Sequence, residues 1–312
     1  LTSRRFRGRA LAAVAASLAL MLGVAACSSD NSSGGTGENA LEGSDLASTD
    51  KYTTADVTPL DQIDKSKLGL IKPDTLYVGT LSDAPPNIFI DASGNFTGFD
   101  NELLKAIGGK LGLKVEFAAT EFASLLASVN NKVYDAGSSS ISTTDARRQN
   151  VGFTNGYDFG EMALVAKTDS PTTKIADLKA DQRIAVVQGT VQDDYVTNTL
   201  GIEPVRFPDY NTAYANVKSG QVDAWVAPSQ QASGQVKPED GVAILETTIN
   251  TTNFTAYAVA KNNQPLIDAL NSGLDAVVAD GTWGTLEKQW YPDRPLPENW
   301  KPGSKASVLP TA

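Results

Sequence analysis

The densest run of residues able to bind or react lies between Ser138 and Arg148. Ser138, Ser139, Ser140 and Ser142 offer hydroxyls, Thr143, Thr144 and Asp145 follow, and two arginines, Arg147 and Arg148, close the run. A guanidinium is planar, always charged and donates two parallel hydrogen bonds, which suits it to a carboxylate. By residue type alone Arg147 and Arg148 are equal candidates. Thr144 or Asp145 can cap a helix there, and a helix start leaves N–H groups free for an anion. A second such point is Gly189-Thr190-Val191, which follows the apolar run Ile184 to Val187 and opens another helix. Its N–H groups suit an anionic or carbonyl group.

What is missing narrows the chemistry. The chain of 312 residues contains no His and a single Cys, Cys27. The commonest metal ligand and the usual general base are therefore absent, and neither an internal disulfide nor a cysteine zinc cluster can form. No metal and no cofactor is expected. The formal charge is −10, from 26 basic and 36 acidic residues. Four arginines fall within residues 1–26, which hold no acidic residue, so the remainder carries 22 basic against 36 acidic residues, a balance of −14. Nucleic acid needs a basic footprint, and this body has none.

The elements that must position these residues alternate. Leu76 to Thr80 reads as a strand. Asp100 to Leu111 places Leu103, Leu104, Ile107 and Leu111 on one helical face. Val115 to Phe117 is a strand, Phe122 to Val129 a helix, and Met162 to Ala166 and Ile184 to Val187 are apolar strands. Tyr210 to Ser219 and Pro265 to Ala279 read as helices. Such alternation argues for α/β layers on mostly parallel sheets. Two segments echo each other. Ser128 to Ala136 and Asn216 to Ala224 each end a helix and enter a strand, through Tyr134-Asp135-Ala136 and Val222-Asp223-Ala224. Each is followed by a polar cluster, Ser138 to Ser140 in one and Ser229 to Gln231 in the other. Polar residues at the carboxyl ends of parallel strands lie where open α/β sheets bind ligands. Two such units imply two lobes facing one cleft.

The first residues read as an address. Arg4, Arg5, Arg7 and Arg9 precede an apolar, Ala-rich run from Ala10 to Ala26, the pattern of a secretory signal. The end, Val24-Ala25-Ala26-Cys27-Ser28-Ser29, resembles the lipobox of bacterial lipoproteins, in which the Cys becomes the lipidated first residue. Several acyl chains on Cys27 would anchor the protein firmly to the membrane. Ser28 to Gly37 lacks apolar residues and reads as a flexible tether. Residues 27–71 are expected to be loosely structured, as is a tail over 301–312.

From about Leu76 to Tyr291 the chain resembles family 3 of the bacterial extracellular solute-binding proteins, which serve polar amino acid ABC importers. The resemblance rests on Tyr77-Val78-Gly79-Thr80, Gly98 to Leu103, Tyr134-Asp135-Ala136, and Ile141-Ser142-Thr143-Thr144 with Arg147. Gln188-Gly189-Thr190, Val222-Asp223-Ala224 and Asp280-Gly281-Thr282-Trp283 complete it, in order and spacing. It implies a two-lobed periplasmic-binding-protein-like fold of type II, whose lobes are joined by two crossing strands and close on the ligand like a hinged clamp. Lobe one would take 72–159 and 254–300, lobe two 160–253, with crossings near Gly160 to Leu164 and near Phe254 to Tyr257. The implied partners are a small amino-acid-like solute and an importer permease, and the implied state is a monomer.

The resemblance also assigns roles. It selects Arg147 over Arg148 for the ligand carboxylate, gives Ser140 and Ser142 backbone and hydroxyl bonds to the same ligand, and makes Phe122 an aromatic platform. Thr190 and Val191 would face it from lobe two. There are departures. An Asp that usually holds the ligand ammonium is here Pro228, which offers neither charge nor N–H. Leu81 stands where members binding cationic side chains carry an Asp, and Ala84 where Tyr or Phe is common. The pocket should be less acidic than usual, with Glu161 as the nearest substitute carboxylate. An enzyme is the competing reading, since the family resembles some periplasmic dehydratases of cyclic acids; Glu161 would then be a general acid. A solute sensor for a membrane partner is the third.

Overall fold

The structure, a computed structural model, describes residues 57–296 and 300–303. The signal, Cys27 and the Ser/Gly-rich tether lie outside the described residues.

The chain forms β1 (Thr75–Thr80), β2 (Asp83–Ala84), β3 (Ile88–Ile90), β4 (Phe96–Thr97), α1 (Phe99–Lys110), β5 (Lys114–Ala119), α2 (Phe122–Asn130) and β6 (Ala136–Ser142). Next come α3 (Asp145–Arg148), β7 (Val151–Phe153) and β8 (Asp158–Lys167), then β9 (Ile184–Val187), α4 (Val191–Asp194), β10 (Val205–Phe207), α5 (Tyr210–Ser219), β11 (Ala224–Pro228) and α6 (Ser229–Gln235). A long strand, β12 (Val242–Ala260), returns the chain to α7 (Gln264–Ala279) and α8 (Thr282–Trp290).

The main sheet runs β10-β9-β11-β8-β12-β6-β1-β5. Its two ends are parallel: β1 pairs with β5 and β6, and β9 with β10 and β11. The middle is antiparallel, because β8 and β12 run in opposite directions through both ends. These two strands are the crossings. β12 pairs with β8 from Val242 to Ile249, shifts register between Ile249 and Phe254, and then pairs with β6 from Thr255 onward. On β8 the change falls between Phe159, which faces Phe254, and Met162, which faces Pro228. The β8 change falls within the Gly160 to Leu164 range expected from sequence, and the β12 register shift falls just before the expected Phe254 to Tyr257.

Alternation along the strands divides the core. In β8, Ala163 and Val165 join one apolar cluster, while Leu164 and Ala166 join another on the opposite face. β9 splits the same way, with Ala185 and Val187 on one side and Ile184 and Val186 on the other. Successive side chains of a strand point to opposite faces, so a four-residue run that is buried throughout belongs inside a covered parallel sheet. A third cluster, built on Leu103, Leu104 and Ile107 of α1 and Leu266, Leu270 and Leu274 of α7, fills the other lobe.

The internal echo is structural. The Asp135 N–H donates to the Tyr77 carbonyl at 2.7 Å, and its carboxylate accepts the Tyr77 and Ile71 N–H groups, both at 2.9 Å. In the other lobe the Asp223 N–H donates to the Arg183 carbonyl at 2.8 Å, and its carboxylate accepts the Arg183 N–H at 2.7 Å. Each Asp thus ties the entry to one strand to the start of its neighbour, at the edge of the sheet away from the cleft.

Residues 60–71 are not loose. Leu60–Gln62 and Lys65–Lys67 are 3-10 turns, Leu68 is only 2% exposed, and Ile63 and Leu70 pack on the α1/α7 core. Ile63, Leu68 and Leu70 plug that core, while Leu60 and Ile71 stay exposed. The far end is also anchored at first. Trp300 is buried and packs edge-on against Phe159 at 5.3 Å, and the Gly303 N–H donates to the Gly156 carbonyl at 3.1 Å.

The two lobes touch across the cleft. Asp83, on the β1 side, accepts the N–H groups of Tyr210 and Asn211 at 2.7 and 3.0 Å, which open α5 on the β9 side. A carboxylate satisfies the free N–H groups of a helix start and complements its dipole. Gln235 of α6 donates to the Asp83 carbonyl at 3.1 Å. Beside it, a Cβ at Gly234 would stand 2.2 Å from the Pro85 carbonyl oxygen, so only glycine permits this approach.

Candidate functional site

Between the lobes, at the carboxyl ends of β6, β9 and β11 and beside the crossing strands, lies a cleft. It holds about 520 Å³ of empty space with its mouth included. Phe122, Ser140, Ser142 and Arg147 line it from the β1 lobe. Thr190 and Val191 line it from the β9 lobe, and Glu161 from the crossing strand β8. All seven residues singled out from sequence therefore meet at one place, although they span positions 122 to 191.

Arg147 sits on the single turn α3, which Thr144 caps by accepting the Arg147 N–H at 3.3 Å. Its guanidinium donates to the Ser142 carbonyl at 2.9 Å and, across the cleft, to the Gly189 carbonyl at 3.0 Å. The Phe122 ring lies 5.0 Å below its Cζ. No carboxylate forms an ion pair with it among the described residues, and loss of water lowers its pKa to about 10. A half-buried cation held by only carbonyls and a ring face calls for an anion. Arg148 is used differently. It is buried, donates to Thr143 Oγ1 at 2.8 Å and pairs with Asp145 at 3.3 Å.

Some of the polar groups that sequence pointed to are already engaged. The Ser140 N–H and hydroxyl donate to Asp100 Oδ2 at 2.6 and 2.8 Å, and this grip holds Ser140 at a φ of +44°, a conformation few L-residues adopt. The Thr190 hydroxyl caps α4, accepting the Asp193 N–H at 3.2 Å and donating to the Val187 carbonyl at 2.7 Å. These residues shape the wall, while Val191 and Gln192 begin the helix, where N–H groups have no intrahelical partner. The Phe122 ring supports the guanidinium of Arg147, a contact beyond the platform role expected of it.

Sequence reasoning missed three contributors. Asp100, wholly buried at the start of α1, also accepts from Tyr157 Oη at 2.7 Å and Asn87 Nδ2 at 3.1 Å. Burial raises its pKa to about 6 against the pull of these donors. Asn87 and Asp158 line the cleft directly. Asp158 is paired with Arg294, Nη1 to Oδ2 at 3.0 Å, and burial raises its pKa. Glu161 is raised too, by burial, against the pull of Arg294 and a hydrogen bond from Ser229. The signal for Asp100 was the Gly98 to Leu103 motif, in which Asp100 and Asn101 are buried; nothing local marked Asn87 or Asp158.

The family model for bacterial extracellular solute-binding proteins, family 3, matches residues 76–293. The chain belongs to this family. It is 30% identical over 224 residues to ABC transporter arginine-binding protein 1 of Escherichia coli (strain K12), covering 70% of this chain and 91% of that protein. A solved structure of an ancestral arginine-binding protein bound to arginine superposes with a TM-score of 0.66 at 31% identity, over 70% of this chain and 98% of the other. An ancestral amino acid-binding protein described as a precursor of cyclohexadienyl dehydratase matches at 28% identity and a TM-score of 0.65, over 74% of this chain and 99% of its own. The fold of this solute-binding family is thus the two-lobed architecture described above, and the relatives named for a function here are binding proteins.

The separate surroundings of the two arginines make a direct test. Arg147→Ala should cost about 2–5 kcal/mol of ligand binding, and Lys at 147 should not restore it, because the bidentate fork is lost. Arg148→Ala should instead lower stability by about 1–3 kcal/mol, from buried partners left unsatisfied, and leave affinity near wild type. Titration calorimetry and thermal unfolding of both variants check this; equal losses of affinity would contradict the assignment.

Proposed function

We propose that this chain is the extracytoplasmic substrate-binding component of an ABC importer and holds an amino acid between its lobes. The observation that carries this is the guanidinium of Arg147, partly removed from water, without an ion-pair partner among the described residues and bridging both lobes. An α-carboxylate at that point would be gripped by the fork. The α-ammonium then needs a counter-charge, and Glu161 on the crossing strand lines the same cleft. Phe122, Ser142, Val191 and the walls formed by Ser140 and Thr190 complete the enclosure. A ligand touching both lobes must favour the closed form, since only that form makes both sets of contacts.

Binding without turnover is the reading we adopt. Glu161 has the raised pKa of a general acid, but the only carboxyl groups lining the cleft among the described residues are Glu161 and the Arg294-bound Asp158. Protein purified under native conditions and then denatured should release an unmodified amino acid, identified by mass spectrometry. A product formed from an added cyclic acid during incubation would instead establish the dehydratase reading.

The anchor belongs to the same proposal. Lipidation at Cys27 would hold the binding lobes on the outer face of the cell membrane, close to a permease, acting as monomers. Replacing the thiol, Cys27→Ser, should move the protein from the membrane fraction into the medium. Retention of the variant at the membrane would exclude lipidation at that residue.

A further inference from the structure

The charges and the unpartnered acceptors of the cleft restrict its ligand more than the family does. Three charged residues line the cleft: Arg147, Asp158 and Glu161. Asp158 pairs with Arg294 at 3.0 Å, within a buried group in which Glu287, which does not line the cleft, stands 3.5 Å from the same guanidinium. Of the three, Arg147 and Glu161 form no ion pair among the described residues. These two match the carboxylate and ammonium of a zwitterion and leave no carboxylate over for a cationic side chain. Taking a third charge out of water without a counter-charge is strongly unfavourable.

The remaining polar surface is not idle. Asn87, Ser139 and Gln231 line the same cleft and are 2%, 4% and 1% exposed. Each carries a buried oxygen with no hydrogen-bond partner: Asn87 Oδ1, Ser139 Oγ and Gln231 Oε1. The orientation of Asn87 is set by Asp100, which takes its Nδ2 at 3.1 Å and so leaves its carbonyl oxygen to face other partners. Buried acceptors are rarely left unpaired, and a site that is built to receive a donor rejects a ligand lacking one.

Resting on the amino-acid reading above, we propose that the ligand is a net-neutral amino acid. Its side chain ends in an uncharged hydrogen-bond donor, a primary amide or a hydroxyl, received by Asn87, Ser139 and Gln231. The chain would then differ in specificity from relatives named for arginine, lysine or histidine.

The test is calorimetric titration of the refolded, ligand-stripped full chain with glutamine, asparagine, serine, alanine, leucine, arginine and lysine. At least one of the first three should bind ~10-fold or more tighter than alanine, leucine and both cationic amino acids. Gln231→Leu should weaken that ligand ~10-fold or more while leaving alanine within about threefold, so that alanine reports an intact site. Tightest binding of arginine, lysine or leucine would overturn the inference and leave the amino-acid reading standing. Equal weakening of alanine by Gln231→Leu would also overturn it, by placing Gln231 at the ammonium. Failure of every free amino acid would overturn the amino-acid reading itself.

Discussion

A single half-buried cation without an ion-pair partner among the described residues, the guanidinium of Arg147, is the constraint around which the rest of the cleft is arranged. It is tied to the Ser142 carbonyl in its own lobe and to the Gly189 carbonyl in the other, with Phe122 beneath it. Neutral partners hold the group in place without neutralising it. Its charge therefore remains available to an anionic ligand, and its reach across the cleft makes that ligand sensitive to whether the lobes are together. The N-cap at Thr144 and the strand end at Ser142 matter because they aim this one side chain.

The opposite wall is arranged to keep negative charge scarce. Asp158 would double the anionic charge facing the ligand, but Arg294 removes it, and Arg294 is itself packed over Tyr291 with its Cζ 3.9 Å from the ring centroid. Asp100 lies behind the serine wall and spends its carboxylate on Ser140, Tyr157 and Asn87. In doing so it both holds Ser140 in a conformation it would otherwise avoid and takes the Asn87 Nδ2, leaving Asn87 Oδ1 without a partner among the described residues. Buried carboxylates thus act here mainly on protein groups, and Glu161 alone is left with its charge facing the cleft.

Much of this architecture was legible in the residues, for identifiable reasons. Ile184–Val187 and Tyr210–Ser219 emerge with the bounds read from sequence, because an uninterrupted apolar run and a capped, periodic segment admit few alternatives. The place where β12 passes between lobes was read slightly late, since Asn250, Thr251, Thr252 and Asn253 include no apolar residue to mark a strand in transit. Residues 60–71 misled for a related reason: Ile63, Leu68 and Leu70 are too widely spaced to show a period, yet each finds the same core. In the cleft, residue type could not separate Arg147 from Arg148; their neighbours do, since of the two only Arg148 forms an ion pair among the described residues. Asp158 was invisible because its partner lies 136 positions away. Short-range patterns report short-range structure, and a charge neutralised by a distant residue leaves no local trace.

The central claim is that a ligand draws the two lobes together around Arg147. Small-angle X-ray scattering of the ligand-stripped chain, before and after saturation with a bound amino acid, measures this most directly. The account predicts a smaller radius of gyration with ligand. It also predicts that Gly234→Ala, whose Cβ would meet the Pro85 carbonyl at 2.2 Å, keeps the larger radius at the same ligand concentration. An unchanged radius in the saturated wild-type protein would contradict the account.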